Sequence, residues 1–473
     1  MTALLWLRRD LRLHDHPALR AALDDESPAV PVFCLDPRLL GGRHASGPRT
    51  QFLLECLADL DESLRRRGSR LIVRNGRPEQ VLPELARELE AKRVFWSGDV
   101  SPLATRRDRA VGRKLEAVGA EVRVLPGLFA LDDPKALLTS TGHPYRVFTP
   151  FHRAWLQYAR REVLPAPRSL PALPSAVEAG PLPTLLDLGL KETVDQAPAG
   201  GEHAGRRRMQ RFLVEGVAEY GSGRDDLGAH ASSRLSPYLH FGCISPRELE
   251  ARLPRGSGAE EFRRQLCCRN FYAHVLAHFP ANARHEFQDR YRESIRWSRD
   301  QKHFQAWCDG RTGYPLVDAG MRQLLREGWM HNRARLVVGS FLTKDLGLDW
   351  RWGERWFMRL LIDGDEANNN GNWQWIASVG VDPQPPFRRI YNPARQQAGF
   401  DPDGTYVRRY VPELRDVPDR YLAEPWTMPE HVQTQAGCRI GHDYPHPIVD
   451  HAVARRVVLA RYGDAAHARA IPL

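Results

Sequence analysis

The sequence predicts an α/β domain with a five-stranded parallel sheet, a long linker and then an almost all-helical domain. Three observations carry this reading. Strand-like apolar runs alternate with helix-length stretches through the first third. A proline-rich segment follows, and beyond it amphipathic helical patterns take over with few strand signals. A chain of 473 residues exceeds what one compact core holds, so domains are expected over 1–130 and 204–473 with a connection over 131–203.

The strand candidates, in order, are Ala3 to Leu7, Val30 to Leu35, Leu71 to Val73, Val94 to Trp96 and Val122 to Leu125. Each stands a helix length from the next, the pattern of parallel strands joined by crossover helices. The domain carries neither a G-x-G-x-x-G fingerprint nor a Walker loop, so neither NAD nor NTP use follows from it. From Leu164 to Gly201 prolines recur (165, 167, 171, 174, 181, 183 and 198), which suits a connection wrapped over the surface. Helical patterns then cover Ala204 to Tyr220, Ser245 to Leu253, Glu260 to His278 and Tyr314 to Glu327.

Composition narrows the function classes. Hydrophobic residues at 42% and charged residues at 27% exclude disordered and fibrous proteins. No apolar run reaches the roughly 18 residues of a membrane span, and the start MTALLWLRRDLRLHD turns charged too soon for a secretory signal, so a cytoplasmic protein is expected. Lys and Arg number 68 against 58 Asp and Glu, a net charge of +10 that suits a polyanionic partner. Seven cysteines without C-x-x-C spacing argue against a disulfide framework or a zinc site, and no metal is expected. The adjacent Cys267 and Cys268 read as buried apolar fillers.

Chemistry concentrates in the last third. Eight of the 12 tryptophans fall between Trp297 and Trp375. The run DGDEANNNGNWQW (Asp363 to Trp375) has little apolar surface at its start, so its polar groups are expected to face a ligand. WMHNRAR (Trp329 to Arg335) sets Asn332 and Arg335 three apart, on one face of a helix. SSRLSPYLHFG (Ser232 to Gly242) supplies hydroxyls ahead of a helix start, which suits phosphate binding or a capping turn.

Together these segments resemble the photolyase and cryptochrome family, most nearly its microbial class I cyclobutane pyrimidine dimer photolyases. The resemblance runs from LLWLRRDLRLHDHPAL (Leu4 to Leu19) through RVFTPFHRAW, SSRLSPYLHFG, GRTGYPLVDAGMRQL, WMHNRAR and DGDEANNNGNWQW to NPARQ and FDPDGTYVRRYVPEL. It implies an antenna domain followed by a helical FAD-binding domain. FAD would be held by Tyr220, Ser232, Ser233, Leu235 and Ser236 at its diphosphate, and by Asn332, Arg335, Asp363, Asp365 and Asn369 about the flavin. Arg335 would pair with Asp363, and Asn369 would face flavin N5, where an amide accepts from an N–H but donates protons poorly. Trp373, Trp350 and Trp297 match a three-tryptophan electron relay.

The implied activity is light-driven splitting of cyclobutane pyrimidine dimers in UV-damaged DNA by a monomeric lyase, the lesion being flipped out of the duplex. Arg224, Arg269 and Arg388 or Arg389 match DNA- or lesion-contacting positions, with Trp375 in the lesion clamp. The chain departs from the family pattern in QLCCRNFY (Gln265 to Tyr272), where Gln265 replaces an acid, Cys268 a stacking tryptophan and Asn270 a second acid, and at Leu336, where methionine is common. These departures favour the alternative of a cryptochrome-like blue-light photoreceptor that photoreduces FAD without repair. Repair of the 6-4 photoproduct, which uses histidines near the flavin, ranks below both, as does a dark flavin oxidoreductase. Finally, RTQFLLECLADL and WSGDVSPLATRRD resemble an antenna site for a deazaflavin more than for methenyltetrahydrofolate, with Arg49 and Asp99 as ligands.

Overall fold

The computed structural model describes residues 2–467 apart from 26–27, 43–44, 176, 192–193, 230 and 383. Five strands, β1 (Ala3–Leu7), β2 (Ala29–Leu35), β3 (Ile72–Asn75), β4 (Arg93–Ser97) and β5 (Glu121–Leu125), form one parallel sheet in the order β3-β2-β1-β4-β5. The helices Pro17–Leu23, Gly47–Arg65, Pro78–Glu88 and Pro102–Glu116 are its crossovers. Each carries proline at its first or second position, where the missing N–H has no intrahelical acceptor to lose. Ser46 and Ser101 cap two of them by accepting from the N–H groups of Arg49 and Ala104.

The two faces of the sheet bury different neighbours because side chains alternate along each strand. Leu4 and Trp6 of β1 pack with Val30, Val32, Ile72 and Val94 against Leu82, Leu85, Val111 and Leu115 of two crossover helices. Ala3, Leu5 and Leu7 face the other way, onto Phe52, Cys56, Leu57 and Leu60 of the helix Gly47–Arg65. That second cluster also includes Tyr238, Phe241 and Ile244 of the helical domain, so one core spans the junction of the two domains.

Residues 148–157, inside the segment expected as linker, form a helix. Phe151 and Trp155, four apart on one face, are fully buried against Phe271 and Val275 of the helix Ser257–His278. Pro150 is tolerated because it lies in the first turn. Among the described residues of 159–200 there is neither helix nor strand. This stretch first clasps the sheet domain, Leu170 N–H donating to Arg67 O and Val73 N–H to Ala179 O, both at 2.8 Å, and then the helical domain, Gln196 N–H donating to Arg326 O at 3.1 Å.

The C-terminal domain is helical. Its core gathers on the helices Pro315–Glu327 and Asn332–Ser340. Two glycines let its helices touch. A Cβ on Gly371 of the helix Glu366–Ile376 would come within 2.1 Å of the Tyr272 ring, and one on Gly353 of the helix Trp350–Leu360 within 2.1 Å of the Trp373 indole. Among the described residues no helix is long and apolar enough to cross a membrane.

Candidate functional site

A cavity of about 580 Å³ with a mixed polar and apolar wall, counting its open mouth, lies between the helices Asn332–Ser340, Trp350–Leu360 and Glu366–Ile376. Asn332, Arg335, Leu336, Asp363, Asp365 and Asn369 all line it, together with Trp373. The sequence thus draws its two polar motifs, 31 residues apart at Asn332 and Asp363, to one chamber.

Arg335, Asp365 and Asn369 are each held by hydrogen bonds. His331 caps the helix Asn332–Ser340 by accepting from Arg333 N–H at 3.2 Å, which fixes the first turn carrying Asn332 and Arg335. Arg335 donates to Asp363 Oδ2 at 2.8 Å and to Met330 O at 2.9 Å. Asp365 caps the helix Glu366–Ile376 through Asn368 N–H at 2.9 Å. Asn369 donates its amide N–H to Glu354 O at 3.0 Å. A backbone carbonyl can only accept, so the amide nitrogen is turned toward Glu354 with one of its two N–H groups engaged.

Two of these groups are tuned from the sheet domain. Arg9, in the segment after β1, donates to Asp365 and pairs with Asp99 at 3.4 Å, while its Nε donates to His240 O at 3.1 Å. Burial drives the Asp365 carboxyl up, but the Arg9 and Arg269 guanidiniums outweigh it and hold the group well below the usual carboxylate range. Arg49, at the start of the helix Gly47–Arg65, donates to Met358 O at 2.6 Å and Leu361 O at 3.2 Å. Burial pushes its pKa down to about 10, against the opposing pull of Asp363. Arg49 and Asp99, expected at an antenna, therefore stand at the domain junction, and neither lines the cavities described here.

The tryptophans form a series. Trp373 lines the cavity and packs edge-on against Phe357 at 5.0 Å. The indole also covers Gly353, and Trp350 lies one turn before that glycine on the same helix, fully buried, its Nε1 donating to Glu286 at 3.4 Å. Half-buried Trp297 is brought to the start of this helix because Ser298 pairs with Leu348, Ser298 N–H donating to Gly347 O at 2.8 Å.

The serine segment stands beside a second cavity that Ser232 lines. Ser233 Oγ accepts from Leu235 N–H at 3.4 Å, and Ser236 Oγ accepts from Trp329 Nε1 at 3.2 Å. Leu235 is buried. Arg234 holds the turn at a φ of +52°, with its guanidinium paired to Glu327 at 2.8 Å and stacked on Trp329 at 4.3 Å. Tyr220 packs edge-on against Phe262 at 5.1 Å, on the helix that carries Cys268.

The residues expected to meet DNA separate into two groups. Arg388 is exposed and donates to Gln384, whereas Arg389 is only 2% exposed and lies 4.1 Å over the Trp375 ring while pairing with Asp382. Arg224 pairs with Glu261 at 2.8 Å on the surface. Arg269 donates inward, to Leu128 O at 2.8 Å and Leu239 O at 3.1 Å, as part of the domain junction. Gln265 and Cys268 are half-buried on the helix Ser257–His278 and do not line the cavity.

Sequence reasoning missed Arg9, Phe357 and Arg234. Arg9 lies in the LRRDLRLHD run, but its carboxylate partners are 90 and 356 residues away. The one signal was two adjacent arginines directly after a buried strand.

The residues present fit a large polar ligand. Asp363 Oδ1 is buried without a partner while Oδ2 holds Arg335, an open acceptor on the cavity wall. The cavity, the acidic loop and the half-buried serines together offer acceptors, a guanidinium and hydroxyls of the kinds a flavin dinucleotide uses.

An α/β sheet domain joined to a helical domain that encloses such a cavity defines a two-domain, nucleotide-cofactor class of protein. The chain belongs to the DNA photolyase family: it matches the family described as "DNA photolyase" over residues 3–172 and that described as "FAD binding domain of DNA photolyase" over residues 262–464. It is 43% identical over 458 residues to the deoxyribodipyrimidine photo-lyase of Streptomyces griseus, covering 96% of this chain and 97% of that one. It is 38% identical over 478 residues to the cryptochrome DASH of Gloeobacter violaceus, with 95% and 93% covered. A crystal structure of a class III photolyase from Agrobacterium tumefaciens superposes with a TM-score of 0.90 at 37% identity, covering 98% of each chain. The similarity to a class III structure leaves the expected class I assignment unresolved, and the family is the level that holds.

Proposed function

We propose that this protein splits cyclobutane pyrimidine dimers in UV-damaged DNA by light-driven electron transfer from FAD. The observation that carries the reading is that an amide, Asn369, lines the cavity, anchored through one N–H on Glu354 O; a neutral amide does not give up a proton as a carboxylic acid does. Such a group accepts from the N–H of a reduced flavin and does not protonate it, as a repair enzyme requires. FAD, when bound and excited, supplies the electron that opens the cyclobutane ring. Arg335 and Asp363 orient the ring system as a mutually compensated pair. Ser232, Ser233 and Ser236 take the diphosphate, and Trp373, Trp350 and Trp297 carry electrons inward from the half-exposed edge.

Exposed Arg388 and half-buried Arg224 supply phosphate contacts, consistent with the net charge of +10. A deazaflavin antenna in the sheet domain rests on the Arg49–Leu60 and Trp96–Asp108 motifs and is tested by the absorption spectrum of chromophore released from purified protein. The photoreceptor reading has one observation of its own: the place of a stacking aromatic is taken by half-buried Cys268.

The deciding experiment offers anaerobically reduced protein an oligonucleotide with one thymine cyclobutane dimer, in light and in darkness, beside a 6-4 photoproduct control. Light-dependent restoration of the dimer substrate alone supports repair; protein that holds reduced FAD and restores nothing is a photoreceptor. Trp373→Phe is expected to abolish photoreduction while FAD stays bound, and normal photoreduction would remove the relay.

A further inference from the structure

Beside the serine loop, on the side reached by the linker, lies a cavity of about 740 Å³, counting its open mouth, that the flavin reading does not use. Its wall carries four guanidiniums, those of Arg208, Arg234, Arg326 and Arg409, against the single carboxylate of Glu327. That carboxylate is already engaged, pairing with Arg234 at 2.8 Å and accepting from the Tyr410 hydroxyl. No salt bridge joins Arg208, Arg326 or Arg409 to a carboxylate among the described residues. Arg208 is half-buried, and burial together with the neighbouring Arg234 and Arg211 charges opposes its own. Like charges gathered round a recess without counter-charge are stabilised by an anion that several guanidiniums grip at once.

We infer that this recess binds a diphosphate group, carried by a nucleotide or free as pyrophosphate, beside the serine loop and in addition to the flavin. The recess adjoins the cavity that Ser232 lines, sharing Arg208, Arg234, Arg409 and Tyr410 with it, while Ser232 itself and the Asp363–Asn369 wall are not part of it. It is also linked to the serine loop, since Arg208 Nε donates to Ser233 O at 3.0 Å. An anion gripping the outer nitrogens of Arg208 fastens that carbonyl, so occupancy steadies the loop proposed to hold the flavin's own diphosphate. This coupling rests on the proposed flavin site; the binding itself does not.

The test is isothermal titration of inorganic pyrophosphate, and separately of ATP, into FAD-loaded protein. Saturable one-to-one binding is expected, weakened about tenfold or more in Arg326→Gln/Arg409→Gln, whose side chains are exposed and outside the flavin cavity. Arg455→Gln/Arg456→Gln, which removes the same charge from the exposed face of another helix, is expected to leave it unchanged. Tighter binding of ATP than of pyrophosphate identifies a nucleotide, and equal binding the free diphosphate. Binding only to FAD-free protein would overturn the inference, because the anion would then be occupying the flavin's own place. Displacement of pyrophosphate by undamaged duplex DNA would overturn it too, by assigning the arginines to the DNA surface. The coupling is read separately as FAD release, expected to slow at least about fivefold at saturating pyrophosphate; unchanged release with intact binding removes the coupling alone.

Discussion

Two ion clusters of this molecule use the same residue types and differ in how many valences are left open. At the domain junction Arg9 is closed on Asp99, Asp365 and His240 O, and Arg12, 1% exposed, donates to the carbonyls of His14, Asp15, Gly127 and Gly242. In the cavity Arg335 meets only one oxygen of Asp363, the other has no hydrogen-bond partner among the described residues, and Asn369 engages Glu354 O through one amide N–H. A buried cluster that satisfies itself holds a fold together, whereas one that leaves acceptors aimed at an empty volume is arranged for something else to complete it.

The comparison is broken most severely at Arg9. Arg9→Ala leaves Asp99 and Asp365 as buried carboxylates without their main counter-charge, and is expected to cost about 3–5 kcal/mol of stability by urea denaturation. FAD should then be lost only in step with unfolding. Loss of FAD from a variant that melts normally would show that Arg9 belongs functionally to the cavity.

Asp363→Asn is the opposite case. The amide keeps acceptors for Arg335 but not the charge, so FAD affinity is expected to fall roughly 100-fold, about 3 kcal/mol. The melting temperature of FAD-free protein should stay within about 2 °C. Equal losses of affinity and stability would place Asp363 with the closed clusters.

A third measurement sharpens the boundary between the two. Burial pushes His331 down to about 4 from 6.5, so it caps the helix under Asn332 and Arg335 as the neutral imidazole. The unfolded chain takes up this proton near pH 6.5 and the folded one not until about 4, so acidification through that window removes stability. The increment is about 2 kcal/mol between pH 7 and 5, read as the difference between the parent and His331→Asn, which keeps a capping acceptor without the titration. Parallel pH profiles would mean that the histidine is not held neutral.

The order of these elements in the sequence explains what could be read there. Strands such as Ala3–Leu7 were legible to within a residue or so because alternation and apolar runs are local signals. The helix Phe148–Gln157 was read as linker because its support, Phe271 and Val275, comes from far along the chain. Asp363 and Asn369, which line the cavity, stood out in the sequence because charge and amides crowd where apolar surface is missing. The orientation of the Asn369 amide was not legible, since Glu354 O decides it, nor was the different burial of the adjacent Arg388 and Arg389, which tertiary packing sets. The contacts of Arg49 were equally out of reach of local signals, since its hydrogen bonds run to carbonyls 309 and 312 residues away.

The smallest expected effect concerns the wall of the site that the open cluster does not supply. Cys268 and Tyr272 stand one turn apart on the helix Ser257–His278, and Tyr272 is pressed against Gly371 of the helix that carries Asn369 and Trp373. A thiol offers no face on which a pyrimidine can stack, so under the repair reading Cys268→Trp adds a contact and is expected to tighten binding to dimer-containing oligonucleotide by about 1 kcal/mol, a factor of five or so. Because an indole is far larger than a thiol in a half-buried position, melting of the variant is followed alongside. Tighter binding to damaged over undamaged DNA at unchanged stability would make the helix a lesion-facing wall. Unchanged affinity in a stable variant would mean that the lesion is gripped elsewhere, with Trp375, held between Asp382 and Arg389, as the remaining aromatic.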